Sequence, residues 1–127
     1  MKLISWNING IRAQLKKDLN GFVKSFDADI FIFQETKATI DIVKDIGTGF
    51  SGYHVYANEA VKKGYSGTAI FTKEKPISET YVLGIDEHDR EGRITALEFE
   101  KFYLVNMKLG VIKKILYGNK YLTRNHI

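Results

Sequence analysis

The apolar positions of the chain change rhythm twice within its first 35 residues. Leu3, Ile4 and Trp6 form a short apolar run that stops at Asn7-Ile8-Asn9-Gly10, a turn-forming stretch, so Lys2–Trp6 reads as a buried strand ending at Asn7. From Arg12 to about Phe26, apolar residues recur at Leu15, Leu19, Phe22, Val23 and Phe26, a spacing that lines one face of a helix. Ile30-Phe31-Ile32-Phe33 then runs without alternation, which predicts a strand buried on both faces and ending at Gln34-Glu35. A strand–helix–strand order makes the two strands parallel neighbours joined by a right-handed crossover. Their C-terminal ends lie side by side, at the edge where open α/β sheets place their sites. Asn7, Asn9 and Glu35 are thereby expected at one edge.

Beyond a partly helical stretch over Thr39–Ile46, the pattern turns to strands. Tyr53–Asn58, Gly67–Thr72, Ile77–Leu83, Arg93–Phe99 and Phe102–Asn106 are each rich in β-branched or aromatic residues. Lys73–Pro76, with the one proline, marks a turn, and Glu100-Lys101 suits a tight hairpin. The last twenty residues pattern equally as a helix or as broken strands.

With 127 residues and 44% hydrophobic content, one domain with a real core is expected. No apolar run reaches 18 residues and the N-terminus turns polar too early for a secretory segment, so the expectation is a soluble, cytoplasmic chain without a membrane partner. The absence of cysteine excludes disulfides, thiolate nucleophiles and cysteine zinc sites. The net charge of +4 is a weak pointer to nucleic acid because of where it sits. Residues 108–127 hold Lys108, Lys113, Lys114, Lys120 and Arg124 with no acid, whereas the remaining 14 basic residues face all 15 acidic ones. A binding surface in the body of the chain would need local clustering.

Several positions can carry chemistry, and each also has an ordinary reading. Glu35 at a strand end, beside an amide from the neighbouring strand, suits a hard divalent cation; alone it reads first as a surface carboxylate. Asn7 and Asn9 fit common loop chemistry. Gly64-Tyr65-Ser66-Gly67, preceded by Lys62-Lys63, is either a turn whose amides approach a phosphate or a plain loop. Glu87-His88-Asp89-Arg90-Glu91-Gly92-Arg93 reads as a solvated charged turn, and His88 lacks a second histidine at ligand spacing.

Four stretches, in order, shift these readings. Ser5-Trp6-Asn7-Ile8-Asn9-Gly10-Ile11-Arg12-Ala13, Gln34-Glu35-Thr36-Lys37, Lys63-Gly64-Tyr65-Ser66-Gly67-Thr68 and Glu87–Arg93 resemble the exonuclease III and AP endonuclease branch of the endonuclease/exonuclease/phosphatase superfamily. The resemblance runs from Met1 to about Asn106 and covers the N-terminal half of such a domain. The first two stretches are shared across the superfamily; the last two point to its DNA-repair branch. The resemblance implies an α/β fold, half of a two-sheet α/β sandwich, with a mixed sheet and flanking helices. It implies Glu35 and Asn7 as catalytic and metal-site residues, with magnesium as the cation and manganese as a substitute. Lys37 would orient acidic groups around the metal. Asn9, Arg12, Lys37, Gly64, Tyr65 and Arg93 would lie along double-stranded DNA containing abasic sites, positioning it without reading sequence. His88 and Asp89 receive no chemical step.

The resemblance breaks at Met107. Lys108 stands where the family's Tyr-x-Pro-Asn motif has its tyrosine, and no Asp-x-Asn pair or late aspartate and histidine follow. Residues 1–106 are therefore expected to form the N-terminal half of a nuclease domain, with 107–127 a divergent basic tail, either an altered end or a replacement that caps the sheet or adheres to nucleic acid. Such a chain would supply one sheet and its helices. Its bare inner face, costly at about 25 cal/mol per Å², would drive self-association. The expected function is magnesium-dependent phosphodiester hydrolysis at abasic sites and 3′ ends, in a truncated and inactive or impaired form. The alternatives are a non-catalytic remnant with a residual DNA-binding surface, and a superfamily phosphatase fragment, against which Gly64–Gly67 and Glu87–Arg93 speak.

Overall fold

Strand β1 (Leu3–Asn7) and strand β2 (Ile30–Gln34) pair in parallel, Asn7 opposite Gln34. This computed structural model describes residues 1–82, 84, 92–107 and the strand at 121–123. Between the two strands lie α1 (Ile11–Lys16) and α2 (Leu19–Phe26). The apolar spacing predicts one helix over this span, and the structure breaks it at Lys17-Asp18. Asp18 takes a left-handed conformation (φ 89°) and its carboxylate accepts the Gly21 N–H at 3.1 Å, so it caps a new helix instead of continuing the old one. The buried face accordingly consists of Ile11, Leu19 and Val23, while Leu15 and Phe26 stay partly exposed.

Helix α3 (Ile40–Gly47) firms up the partly helical stretch. Thr39 caps it by accepting the Ile42 N–H, with Asp41 in the first turn and Lys44 in the last, both complementing the helix dipole. Strands β3 (His54–Asn58) and β4 (Thr68–Thr72) complete a mixed sheet of order β1-β2-β4-β3, with β4 antiparallel to both neighbours. Strands β5 (Ser78–Thr80), β6 (Ile94–Glu98) and β7 (Tyr103–Met107) form a second, antiparallel sheet, which β8 (Tyr121–Thr123) joins in parallel to β7. The expected hairpin at Glu100-Lys101 is closed by the Phe99 N–H donating to Phe102 O at 2.8 Å.

Side chains of β2 and β4 alternate between two cores. Phe31, Phe33 and Phe71 face the helices, with Ile11, Leu19, Val23 and Val43. Ile30, Ile32 and Ile70 face the second sheet, where they meet Leu97, Phe99 and Leu104. This corrects the expectation of a single sheet with a bare inner face. Ile30, Ile32 and Ile70 are 1%, 1% and 0% exposed, because the β6–β7 hairpin folds back over them. The apolar face required for the expected self-association is thus covered within the chain. Within the tail, the strand alternative holds at 121–123. Residues 108–120, with Lys108, and 85–91, with His88 and Asp89, lie outside the described residues. No helix among the described residues is long and apolar enough to cross a membrane.

Two outcomes follow from this packing. Leu104→Ala opens a cavity between the sheets and is expected to cost about 2–5 kcal/mol, read from urea unfolding by the fluorescence of Trp6, whose ring lies 4.8 Å from that of Phe22. The second concerns the Lys73–Asp27 pair at 2.6 Å, which ties the end of β4 to the segment before β2. The hydrogen bond and charge of Lys73 hold the Asp27 carboxyl below its ordinary value of 3.8. A depressed carboxyl contributes stability above its unfolded pKa and loses it as pH falls through the folded one. Asp27→Asn is therefore expected to lower the urea midpoint slightly near neutral pH, with the difference from wild type vanishing in acid.

Candidate active site

Strict alternation along β2 would send Glu35 to the helical side with Phe31 and Phe33. A positive φ of 54° at Glu35 breaks that alternation. Its carboxylate instead accepts a short hydrogen bond from Asn7 Nδ2, and Asn7 shares the inter-sheet face of β1 with Ser5, whose hydroxyl accepts from Gln34 Nε2 at 3.1 Å. The carboxylate therefore stands at the mouth between the two sheets, at the strand edge where the crossover pattern places it.

Around this pair the backbone is held in a series of left-handed conformations. Asn9 (φ 48°), Glu35 (54°), Lys37 (52°), Ser66 (45°) and Gly67 (92°) all have positive φ. Residues other than glycine keep such conformations only where surrounding contacts fix them. Here the loops lace together: Gly10 N–H donates to Glu35 O at 2.8 Å, Ile11 N–H to Thr36 O at 2.9 Å, Thr36 N–H to Gly67 O at 3.1 Å and Lys37 N–H to Ser66 O at 2.7 Å. Gly67 is required twice over, since a Cβ there would collide with the Thr36 hydroxyl and lie 3.2 Å from Asn58 O.

Side chains extend the network outward. Asn7 Oδ1 accepts the Asn9 N–H at 3.1 Å, Lys37 Nζ donates to Asn9 Oδ1 at 2.6 Å, and Arg12 Nη2 donates to Lys37 O at 3.3 Å. This orientation commits the Asn7 oxygen to Asn9 and turns its donor to Glu35, giving Asn7 the part of orienting the carboxylate. Asn9, Arg12, Lys16, Lys17, Lys37 and Gly64 line a shallow groove of about 520 Å³, four cations with no acid among its lining residues. Lys16 and Lys17 belong to none of the motifs. The signal that could have found them is helical spacing, since Lys16 lies one turn beyond Arg12 on α1 and Lys17 follows it. Tyr65 stands 57% exposed beside the groove's Gly64, with Lys62 Nζ 4.3 Å from its ring centre. Arg93, directly before β6, is 8% exposed and is not among the residues that line this groove.

The chemistry of the donor set limits which metal the edge can take. Among the described residues no group of three or more His, Cys, Asp or Glu side chains gathers to hold a metal ion, so a closed protein cage of the zinc type does not fit. One carboxylate at an open edge fits a magnesium-like cation, which keeps several waters and takes one or two carboxylates plus a substrate phosphate.

The sequence profile of the Endonuclease/Exonuclease/phosphatase family matches residues 4–112. The chain belongs to that family. Within the endonuclease/exonuclease/phosphatase family it is similar to an exodeoxyribonuclease of Bacillus subtilis (strain 168), 48% identical over 111 residues, covering 84% of this chain and 42% of the relative. It is also 40% identical over 106 residues to a DNA-(apurinic or apyrimidinic site) endonuclease of Dictyostelium discoideum, covering 84% of this chain and 29% of that one. The chain thus spans less than half the length of these relatives. An AP endonuclease from Archaeoglobus fulgidus shares the fold with a TM-score of 0.74 and 26% identity, over 86% of this chain and 41% of that one. The family resemblance read from the four motifs holds, and so does the α/β fold, with a mixed sheet and a second, antiparallel sheet.

Gly67→Ala is expected to cost about 1–3 kcal/mol through the forced left-handed backbone and the Thr36 collision, measured as a drop in thermal midpoint; Gly52→Ala, also at positive φ but with open space around it, serves as the strain-only comparison.

Proposed function

We propose that this chain forms the Glu35-bearing wall of a DNA-repair nuclease of exonuclease III and AP endonuclease type, hydrolysing phosphodiesters at abasic sites and 3′ ends. The observation that carries the reading is the continuity of the Asn7–Glu35 pair, through Asn9 and Lys37, with the basic groove. Glu35 would hold magnesium, or manganese as a substitute, with Asn7 fixing its carboxylate. When bound, the cation supplies charge stabilisation at the phosphate and leaving oxygen. Lys37, anchored on Asn9, keeps positive charge beside the acidic group. Arg12, Lys16 and Lys17 bind backbone phosphates along α1, and Tyr65 offers a ring to a sugar or base. Arg93 joins this surface if bound DNA draws it out from the start of β6.

A second reading, of a different class, is a module that binds DNA without cutting it. It is favoured by the basic groove, whose four cations can bind backbone phosphates whether or not the strand is cut. A duplex with one abasic site separates the two readings. Magnesium-dependent nicking that disappears in Glu35→Ala supports the nuclease; salt-sensitive, magnesium-independent binding without nicking supports the module. On either reading Lys16→Ser with Lys17→Ser is expected to flatten the slope of log affinity against log salt by about 2, near one unit for each phosphate that is no longer neutralised. A slope equal to that of the wild type would remove the groove from the DNA path.

A further inference from the structure

Glu35 leaves the fold from the end of β2, and that end is gripped from the opposite sheet. Asn106, on β7 and 0% exposed, donates from Nδ2 to Phe33 O and to Ala69 O, both at 3.0 Å, and so binds the main chains of β2 and β4 together. Its Oδ1 accepts from Gln34 Nε2 at 2.9 Å, and the same Gln34 amide reaches Ser5 Oγ on β1. Phe33 and Gln34 are the two residues directly before Glu35, and Gln34 is the register partner of Asn7. One buried asparagine thereby holds β2 directly, and through Gln34 it is linked to β1, the two strands whose ends carry the Asn7–Glu35 hydrogen bond.

We infer that Gln34 and Asn106 are positioning residues for the Glu35 carboxylate, with the second sheet setting its place at the mouth of the cleft. The physical case is the left-handed turn at Glu35. A side chain leaving such a turn follows the orientation of the strand end before it, where Phe33 O accepts from Asn106, Gln34 O accepts the Ile8 N–H at 3.0 Å, and the Gln34 side chain donates to Ser5 and Asn106. The loops on the solvent side bond the backbones of Glu35 and Thr36, Gly10 N–H donating to Glu35 O and Ile11 N–H to Thr36 O. Without the Gln34 link, the end of β2 retains its main-chain pairing but loses its side-chain ties to β1 and β7. Partners that orient a ligand in this way commonly change metal affinity by 10–100-fold.

The inference rests on the reading of Glu35 as a cation ligand for one of its two signals and is independent of it for the other. Gln34→Met suits the test, since the Gln34 Oε1 makes no hydrogen bond among the described residues and only the Nε2 links are removed. In the full chain, the side-chain amide resonances of Asn7 report its hydrogen bond to Glu35, and Mn²⁺ affinity is read by electron paramagnetic resonance. Gln34→Met is expected to shift the Asn7 resonances and weaken Mn²⁺ binding about tenfold. Ser5→Ala, at an exposed position, is expected to move both in the same direction by less. Val43→Ala, which loosens the helical core, is expected to lower the thermal midpoint and leave both signals at wild-type values. Asn7 resonances that stay at wild type in Gln34→Met and Ser5→Ala overturn the proposal. Unchanged Mn²⁺ affinity in Glu35→Gln sinks the cation reading alone, and the Asn7 resonances still decide the positioning.

Discussion

Strand β2 is buried along its whole length and on both faces, and the remaining architecture answers to that constraint. A strand with Phe31 and Phe33 on one side and Ile30 and Ile32 on the other needs two separate covers. The helices supply one. The β6–β7 hairpin supplies the other, with Leu97 and Leu104 against the isoleucines. Burial also governs the polar groups at the strand's end, where no water is at hand to satisfy a carbonyl or an amide. Gln34, Thr68, Thr95 and Asn106, each 0% exposed, answer one another across the sheets: Thr68 Oγ1 meets Thr95 Oγ1 at 2.8 Å and also donates to Gly92 O. An apolar inter-sheet core thus ends in a hydrogen-bonded seam directly below the candidate site. That placement gives the site a rigid floor.

Above the floor, strain replaces burial as the organising factor. The loops after β1 and β2 and before β4 take conformations that regular structure would forbid, and they do so because each satisfies its neighbour's backbone groups. Such a lattice is stiff without being helical or sheet-like. It also couples places that are far apart in sequence: a displacement at Ser66 and Gly67 is felt at Thr36 and Lys37 through two hydrogen bonds. Tyr65 and Glu35 are accordingly parts of one mechanical unit.

What sequence reasoning could see follows from the range of the forces involved. The strands Leu3–Asn7 and Ile30–Gln34, their parallel pairing and the meeting of Asn7, Asn9 and Glu35 were legible, because local pattern and a short crossover determine them. The break at Asp18 was not, since a capping aspartate in a left-handed turn leaves the apolar spacing of the helix intact. The second sheet was underestimated for a different reason. Tyr103–Asn106 and Arg93–Phe99 were recognisable as strands, but whether they fold back over Ile30, Ile32 and Ile70 is a tertiary outcome with no periodic signal. The burial of Arg93 was likewise not legible. Motif resemblance marked it for a DNA surface, and only the close approach of Gly92 to the Glu59 and Ala60 backbone reveals how tightly that segment is drawn in.

The charge of the chain carries the last step. Outside the basic tail, acids slightly outnumber bases, and by total charge the body would have little affinity for a polyanion. The distribution is uneven. Arg12 and Lys16 stand one helical turn apart on α1, Lys17 follows, and Lys37 is drawn to the same groove by Asn9, so four cations share one surface. Interactions between exposed charges fade beyond about 10 Å at moderate salt, so the potential in the groove is set chiefly by the charges nearest to it. The Glu35 carboxylate, joined to the groove through Asn7 and Asn9, then stands beside concentrated positive charge on one side and the inter-sheet mouth on the other. Opposite charges are thereby kept on different elements a few residues apart: the cations lie on the helix and loop that face solvent, and the carboxylate lies at the strand end that the second sheet grips.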